Sequence, residues 1–326
     1  MPLGFSPFVD HIPGRPVHNK ELPYGDIERR TGVHSRAIAN PDETVEEVAV
    51  ATGWQLLRSL GIKGKDCGGM ILSSCSTIDV DDTARQVATR LGIPKSTAFG
   101  VYFCCSGFPA AVERALPLAA STQRPIVIVL AEVLSKIVNW ADQSTAILFG
   151  DRGAATLLDP NGISPVLDAY AEGFDDEKEL AQLRTMDAVD EQGRSCRRSC
   201  IQMNGHELFR IAPAEMVKVM EERCEMLGMS RNDIRMIVHH QANARFIQMM
   251  EKRMRSNGWD VDNIRIVNEI ANMGNVASCS IPAALAHVQD QIPVGTLVSC
   301  PTVGAGPGFK KGMLSRGHVL FAMGSS

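Results

Sequence analysis

The residues best suited to covalent chemistry are Cys104 and Cys105. They stand where an apolar run, residues 99–103, gives way to Phe108, Val112, Ala115, Leu116 and Ala119 at helical spacing. A thiol at the start of a helix faces the positive end of the dipole, which lowers its pKa and favours the nucleophilic thiolate. The pattern does not choose between the two cysteines, and most unpaired cysteines are small core side chains. Two further junctions carry polar groups. An apolar stretch ends in His239-His240-Gln241-Ala242-Asn243, and a turn containing Gly274-Asn275 leads toward Ser280-Ile281-Pro282. A histidine at a strand end is usually structural and Gly-Asn is common turn chemistry. Their joint occurrence at comparable junctions makes them candidates to act with the thiol.

The elements that must position these groups alternate. Helical spacing covers 44–60 and 83–91, with strands expected at 69–74, 99–103, 126–132 and 154–158. The first forty residues hold a weak strand at 5–12. Residues 170–198 dissolve into charge and read as a surface excursion. Alternation then resumes, with helices at 207–227, 243–256 and 280–289 and strands at 234–238, 264–267, 296–300 and 313–321. Strands separated by helices of this length argue for largely parallel sheet covered on both faces. The second half repeats the first, with an echo between Asp66-Cys67-Gly68-Gly69-Met70-Ile71 and Asp233-Ile234-Arg235-Met236-Ile237. Division into halves 1–165 and 166–326 places Cys105 in the first and His240 and Asn275 in the second, on one shared cleft.

Composition narrows the classes. The 326 residues are 44% hydrophobic with a net charge of −4, enough for a large core and without the basic balance of a nucleic-acid surface. The longest strongly apolar run, 126–131, is far short of a membrane span, and the N-terminus lacks a basic region followed by an apolar one, so a cytosolic protein is expected. Nine cysteines without paired metal-ligand spacing read as reduced thiols, with no metal site. A nucleotide fingerprint at 304–309 fails because position 309 is Phe and a strand follows. No G-x-S-x-G elbow surrounds Ser106.

Several motifs, in order, give the chain a resemblance to the β-ketoacyl-ACP synthase III family of the thiolase superfamily. They are Glu28-Arg29-Arg30-Thr31-Gly32-Val33, Cys105-Ser106-Gly107-Phe108, Phe149-Gly150-Asp151, Asn204-Gly205-His206-Glu207-Leu208-Phe209, His240-Gln241-Ala242-Asn243 and Gly274-Asn275 with Ser280-Ile281-Pro282. The resemblance implies a thiolase-like α/β fold of two duplicated halves in α-β-α-β-α layers. It selects Cys105 as nucleophile, with His240 and Asn275 completing a Cys-His-Asn set. It further implies that the thiol is loaded from an acyl thioester. A malonyl thioester then loses carbon dioxide, and the enolate oxygen accepts hydrogen bonds from His240 and Asn275. Backbone N–H groups of Cys105 and of Gly306 or Gly308 are expected to hold the acyl-transfer oxyanion. Arg30, Asn204, Gly205, His206, Phe209 and Asn243 are expected along a pantetheine channel. No cofactor is implied beyond the thioester substrates.

Departures from the family point to a specialised acyl group. The segment before Arg29 lacks the tryptophan that stacks on the adenine of coenzyme A, His206 stands where asparagine is common, and 76–82 replaces the usual border of the acyl pocket. Family alternatives are acyl transfer to oxygen or nitrogen without condensation, and non-catalytic partner subunits. The complete Cys-His-Asn set argues against the latter. Expected partners are an acyl carrier protein or coenzyme A thioesters and a second copy of the chain. Arg245, Lys252 and Arg253 on one helix form a basic patch for the acidic carrier.

Overall fold

In the first half, in chain order, the strands are β1 (Gly4–Phe5), β2 (Val9–His11), β3 (Arg15–His18), β4 (Ser35–Ile38), β5 (Gly69–Ser73), β6 (Ala98–Val101), β7 (Ile126–Val133) and β8 (Asp151–Asp159). Its helices are α1 (Ile27–Thr31), α2 (Val45–Ser59), α3 (Val80–Leu91), α4 (Gly107–Thr122) and α5 (Gln143–Ala146). The second half holds β9 (Ser164–Asp175), β10 (Ala181–Val189), β11 (Ser195–Met203), β12 (Met236–Ile237), β13 (Arg265–Ile266), β14 (Leu297–Ala305) and β15 (Met313–Ala322). Its helices are α6 (Gly205–Met226), α7 (Arg245–Ser256) and α8 (Ser280–Val288). This is a computed structural model that describes residues 3–18, 22, 25–306, 308 and 310–324.

The strand order is β13-β12-β14-β15-β9-β1-β8-β7-β5-β6. It repeats: β5 lies parallel between β6 and β7 as β12 does between β13 and β14, and an antiparallel strand, β8 or β15, follows in each. The short β1–β9 pair joins the two sets.

Period-two alternation assigns the layers. Ile126, Ile128 and Leu130 of β7 face inward onto α4 and α8, while Val127, Val129 and Ala131 face outward onto α2 and α3. On the other set, Val298 and Phe321 face the middle layer, whereas Ile237, Val303 and Leu320 pack under α6 and α7. The result is an α-β-α-β-α stack. Helix α4 buries Ala110, Ala111, Ala115 and Ala119, small residues that let it sit between two sheets.

Both middle helices begin the same way. Cys104 (φ 47°) opens a 3-10 turn over Cys104–Ser106 before α4, and Ala277 (φ 44°) opens one over Ala277–Cys279 before α8. A positive φ at a residue with a Cβ costs on the order of 1 kcal/mol or more and persists only where the surroundings impose it. The two turns pack on each other. Gly107 permits this approach, because a Cβ there would lie 2.1 Å from Ser73 Oγ and 2.8 Å from Ser278 Cβ.

Several expectations need correction. The strand before the cysteines ends at Val101, leaving Tyr102 and Phe103 to enter the turn. The weak strand at 5–12 is two short strands. The supposed excursion at 170–198 is largely sheet: β9 pairs with β15, and β10 and β11 form a hairpin. Ala181 and Ile201 of that hairpin are buried against Leu134 and Phe149, while Arg184 and Arg197 face solvent. The glycine-rich stretch begins inside β14, which extends to Ala305, and its Pro307 and Phe309 lie outside the described residues. No helix among the described residues is long and apolar enough to cross a membrane.

Candidate active site

Cys105, His240 and Asn275 line one cavity of about 790 Å3, counted with its open mouth. Cys105 sits in the 3-10 turn that leads into α4, with its side chain half-buried. Cys104, its neighbour, also lines the cavity but is buried, and its thiol donates to Gly306 O at 3.4 Å, which leaves Cys105 as the more exposed sulfur. The expected lowering of the thiol pKa does not hold. Burial pushes the Cys105 thiol well above its ordinary value, with Cys104 and Glu132 adding to the rise and the N–H groups of Ala305 and Cys105 opposing it. The resting nucleophile is a thiol.

His240 follows β12, and its backbone N–H donates to Pro301 O at 3.1 Å on β14. The ring is buried, with Nδ1 2.8 Å from Ser280 Oγ. Burial, then the neighbouring His239, brings its pKa down to about 3, so the imidazole is neutral. His239 points elsewhere. Its Nδ1 lies 2.7 Å from His240 O, and its Nε2 is buried with no partner.

Asn275 is held from both sides. Its N–H donates to Leu148 O at 2.8 Å, and Gly150 N–H donates to its carbonyl at 3.0 Å, forming a bridge to Phe149. The Ala277 N–H donates to Asn275 Oδ1 at 3.0 Å. A backbone N–H can meet only the oxygen of the carboxamide, so the NH2 end is the end left for the cavity. Asp151 braces the same region by accepting from Ala39 N–H at 2.7 Å and Ser135 N–H at 2.8 Å.

The backbone donors expected from Gly306 and Gly308 are committed elsewhere. Gly306 N–H donates to Met313 O at 3.0 Å within the β14–β15 ladder, and Gly308 N–H donates to Tyr102 O at 2.9 Å. Antiparallel pairs alternate between bonded and non-bonded. Ala305, opposite Leu314, is therefore the residue whose N–H leaves the ladder, and it is directed at the Cys105 sulfur. Gly304 makes the approach possible, since a Cβ there would fall 2.4 Å from Cys105 Cβ and 2.7 Å from Sγ.

Of the expected channel residues, Gly205, Phe209 and Asn243 line the cavity. Arg30, Asn204 and His206 do not. Asn204 caps α6 by accepting from Glu207 N–H at 3.2 Å, and the His206 side chain is 90% exposed. The Arg30 carbonyl accepts from Asn243 Nδ2 at 3.3 Å. Arg245, Lys252 and Arg253 are exposed on α7, whose buried face sends Phe246 into the cavity. In the segment 76–82, Ile78 is fully exposed, and it is the preceding Cys75 that reaches the cavity.

The apolar wall went unread in the sequence. Leu134, Leu148, Ala181, Ile201, Met203 and Leu208 supply it, half of them from the β10–β11 hairpin. Buried Glu132 ties the elements below together. It accepts from Cys75 N–H at 3.0 Å, Ser76 Oγ at 2.9 Å and Ser278 Oγ at 2.6 Å. Ser278 lies in the second turn where Cys105 lies in the first.

Comparison with known proteins finds relatives over most of the chain. A family model for 3-oxoacyl-[acyl-carrier-protein] synthase III matches residues 99–171, and the model for the C-terminal part of the same family matches 224–315. The chain is 32% identical over 311 residues to a β-ketoacyl-[acyl-carrier-protein] synthase III of Ruegeria, covering 91% of this chain and 93% of the relative. It is 31% identical over 310 residues to that of Roseobacter denitrificans, with 91% and 93% covered. Among solved structures, the synthase III of Thermus thermophilus superposes with a TM-score of 0.80 at 27% identity, over 99% of each chain. A priming β-ketosynthase of a polyketide pathway does so at 0.80 and 25%, over 99% of this chain and 96% of that one.

Proposed function

Because the chain belongs to the 3-oxoacyl-[acyl-carrier-protein] synthase III family, we propose that it joins an acyl group held on Cys105 to a malonyl thioester with loss of carbon dioxide. In the first half-reaction the Cys105 sulfur attacks the acyl thioester carbonyl, the departing thiol leaves with the proton, and the N–H groups of Cys105 and Ala305 hold the oxyanion. In the second, the bond to the malonyl carboxylate breaks and its electron pair forms an enolate. The oxygen of that enolate accepts from His240 and from the Asn275 NH2. The carbanion attacks the acyl carbonyl, and Cys105 leaves as a thiolate that takes a proton from solvent. A neutral imidazole serves as donor here, in keeping with the depressed pKa of His240.

The observation that carries the reading is the orientation of Asn275: its oxygen is taken by Ala277 N–H, so the group it offers the cavity is a donor, beside a nucleophile in the same cavity. The apolar wall suits an acyl chain longer than acetyl. Malonyl and acyl groups arrive on an acyl carrier protein or coenzyme A, the carrier docking against Arg245, Lys252 and Arg253. The chemistry needs no cofactor. The enzyme works in the cytoplasm as a homodimer that covers the open edge of β6.

The test is to separate the half-reactions. Cys105→Ala abolishes the acyl adduct seen by intact-protein mass spectrometry yet keeps part of any malonyl decarboxylation. Asn275→Ala keeps loading and loses roughly a hundredfold in decarboxylation, the usual cost of one oxyanion donor. Acyl capture by the wild type with no decarboxylation of any malonyl thioester would replace condensation with acyl transfer to oxygen or nitrogen. Sedimentation as a stable monomer at micromolar concentration would remove the dimer.

A further inference from the structure

A neutral imidazole carries one proton, and only a proton on Nε2 can be donated toward the cavity once Nδ1 faces Ser280. Ser280 Oγ lies 2.8 Å from His240 Nδ1 and 2.9 Å from Ala277 O, and both serine and histidine are buried. The serine hydroxyl likewise has one proton. Given to the carbonyl, it forces the imidazole proton onto Nδ1 and leaves a bare Nε2, which repels an enolate oxygen. Given to Nδ1, it puts the imidazole proton on Nε2.

In the second arrangement the carbonyl keeps a backbone donor. The Ala277 carbonyl already accepts the Ser280 backbone N–H, which closes the 3-10 turn before α8. It is not orphaned when the hydroxyl turns to the ring. His239 shows the contrast. Its Nδ1 faces a carbonyl, which only accepts, so its proton is fixed on Nδ1 and its Nε2 is left buried and bare. Two adjacent histidines thus meet two kinds of partner, and the one that lines the cavity meets the partner able to donate.

We propose that Ser280 is a positioning residue that donates its hydroxyl proton to Nδ1 of His240 and so holds the imidazole as the Nε2–H tautomer that faces the substrate. The proposal deepens the reading of His240 as an enolate donor and rests on it. The serine stands at the first residue of α8, five residues beyond Asn275, so the helix that follows one oxyanion donor also sets the proton of the other.

The experiment is nitrogen-15 NMR of the histidine side chains in the whole wild-type protein near neutral pH. His240 is assigned from the signals lost in His240→Gln. The expected spectrum has a protonated Nε2 and an unprotonated Nδ1 for His240, and the reverse for His239. In Ser280→Ala the His240 preference collapses toward a mixture, decarboxylation of malonyl thioester falls 10- to 100-fold, and loading of Cys105 changes less than threefold. Ser280→Thr, which keeps the hydroxyl, restores the tautomer. A wild-type His240 protonated on Nδ1 overturns the proposal, even if Ser280→Ala proves too unstable to study. An unchanged tautomer in Ser280→Ala overturns it too. The spectra do not depend on turnover, so a correct tautomer in a protein that never decarboxylates would instead remove the condensation reading.

Discussion

Replacing Gly304 by alanine tests how the nucleophile is placed against β14. The added Cβ would sit 2.4 Å from Cys105 Cβ and 2.7 Å from Sγ. Comfortable carbon contacts begin at about 3.5 Å, so roughly 1 Å must be recovered. The strand cannot easily give, because Gly304 and Ala305 are paired with Ser315 and Leu314 of β15. Cys105 must give instead. A displacement of about 1 Å from a reactive geometry costs on the order of a hundredfold, and overpacking of this kind costs about 1–3 kcal/mol. Gly304→Ala is therefore expected to slow acyl loading about a hundredfold in a quenched-flow time course read by intact mass. The melting temperature should fall by a few degrees, about 2 °C for each kcal/mol in a chain of this size. Decarboxylation at His240 and Asn275 should fall much less. In the double variant with Cys105→Gly, both overlapping atoms are gone and the thermal loss should vanish. Loading by Gly304→Ala within threefold of wild type would refute the placement of Cys105 against Gly304.

Other expectations follow from charge and burial. Because burial raises the Cys105 thiol, its alkylation by iodoacetamide should keep accelerating with pH up to pH 9, and a plateau near neutrality would contradict the buried environment. His240 has a folded pKa near 3 against 6.5 unperturbed, so the unfolded chain binds the proton more tightly. Stability is thus lost as pH falls from 6.5 toward 3, by about 2 kcal/mol at pH 5, and His240→Gln should remove that share in denaturant titrations at pH 7 and 5 while leaving the similar share of His239, whose pKa burial lowers to about 4. For the same reason, malonyl decarboxylation should show no His240 inflection between pH 5 and 8. Reversing Arg245 and Lys252 to Glu should raise KM for a carrier-bound substrate while sparing a small thioester. Equal losses on both would place the effect elsewhere than docking.

Much of the site was legible because its side chains advertise themselves. Cys105, His240 and Asn275 each stand at a junction between elements, the family resemblance selects them over neighbours such as Cys104, and all three line one cavity. The donors in the backbone carry no such mark. Ala305 has no chemistry in its side chain, and its role follows from the ladder parity that commits Gly306 to Met313, which residue types cannot show. The charged stretch 170–198 misled for a related reason. Charge, including Arg184, Arg197 and Arg198, dominates its composition, yet Ala181 and Leu183 within it and Ile201 and Met203 just beyond it alternate with polar residues, and Ala181, Ile201 and Met203 line the cavity. Period-two counting would have found them. The thiol pKa went the wrong way because helix position is visible in a sequence and burial is not.

The meeting of the two turns at Gly107 has a mechanical meaning. Cys105 and Asn275 come from halves whose sheets join through the short β1–β9 pair. The spacing between thiol and carboxamide is gauged more directly, where one turn rests on the other, a few residues from both. The turns act as a bearing surface between the halves. Gly107→Ala would place a spacer of one methyl group in that bearing, 2.8 Å from Ser278 Cβ, and pry the half that stores the acyl group from the half that makes the carbanion. Each half-reaction would survive such a shim better than their coupling, which appears as acyl-enzyme that accumulates while malonyl thioester is decarboxylated to no product.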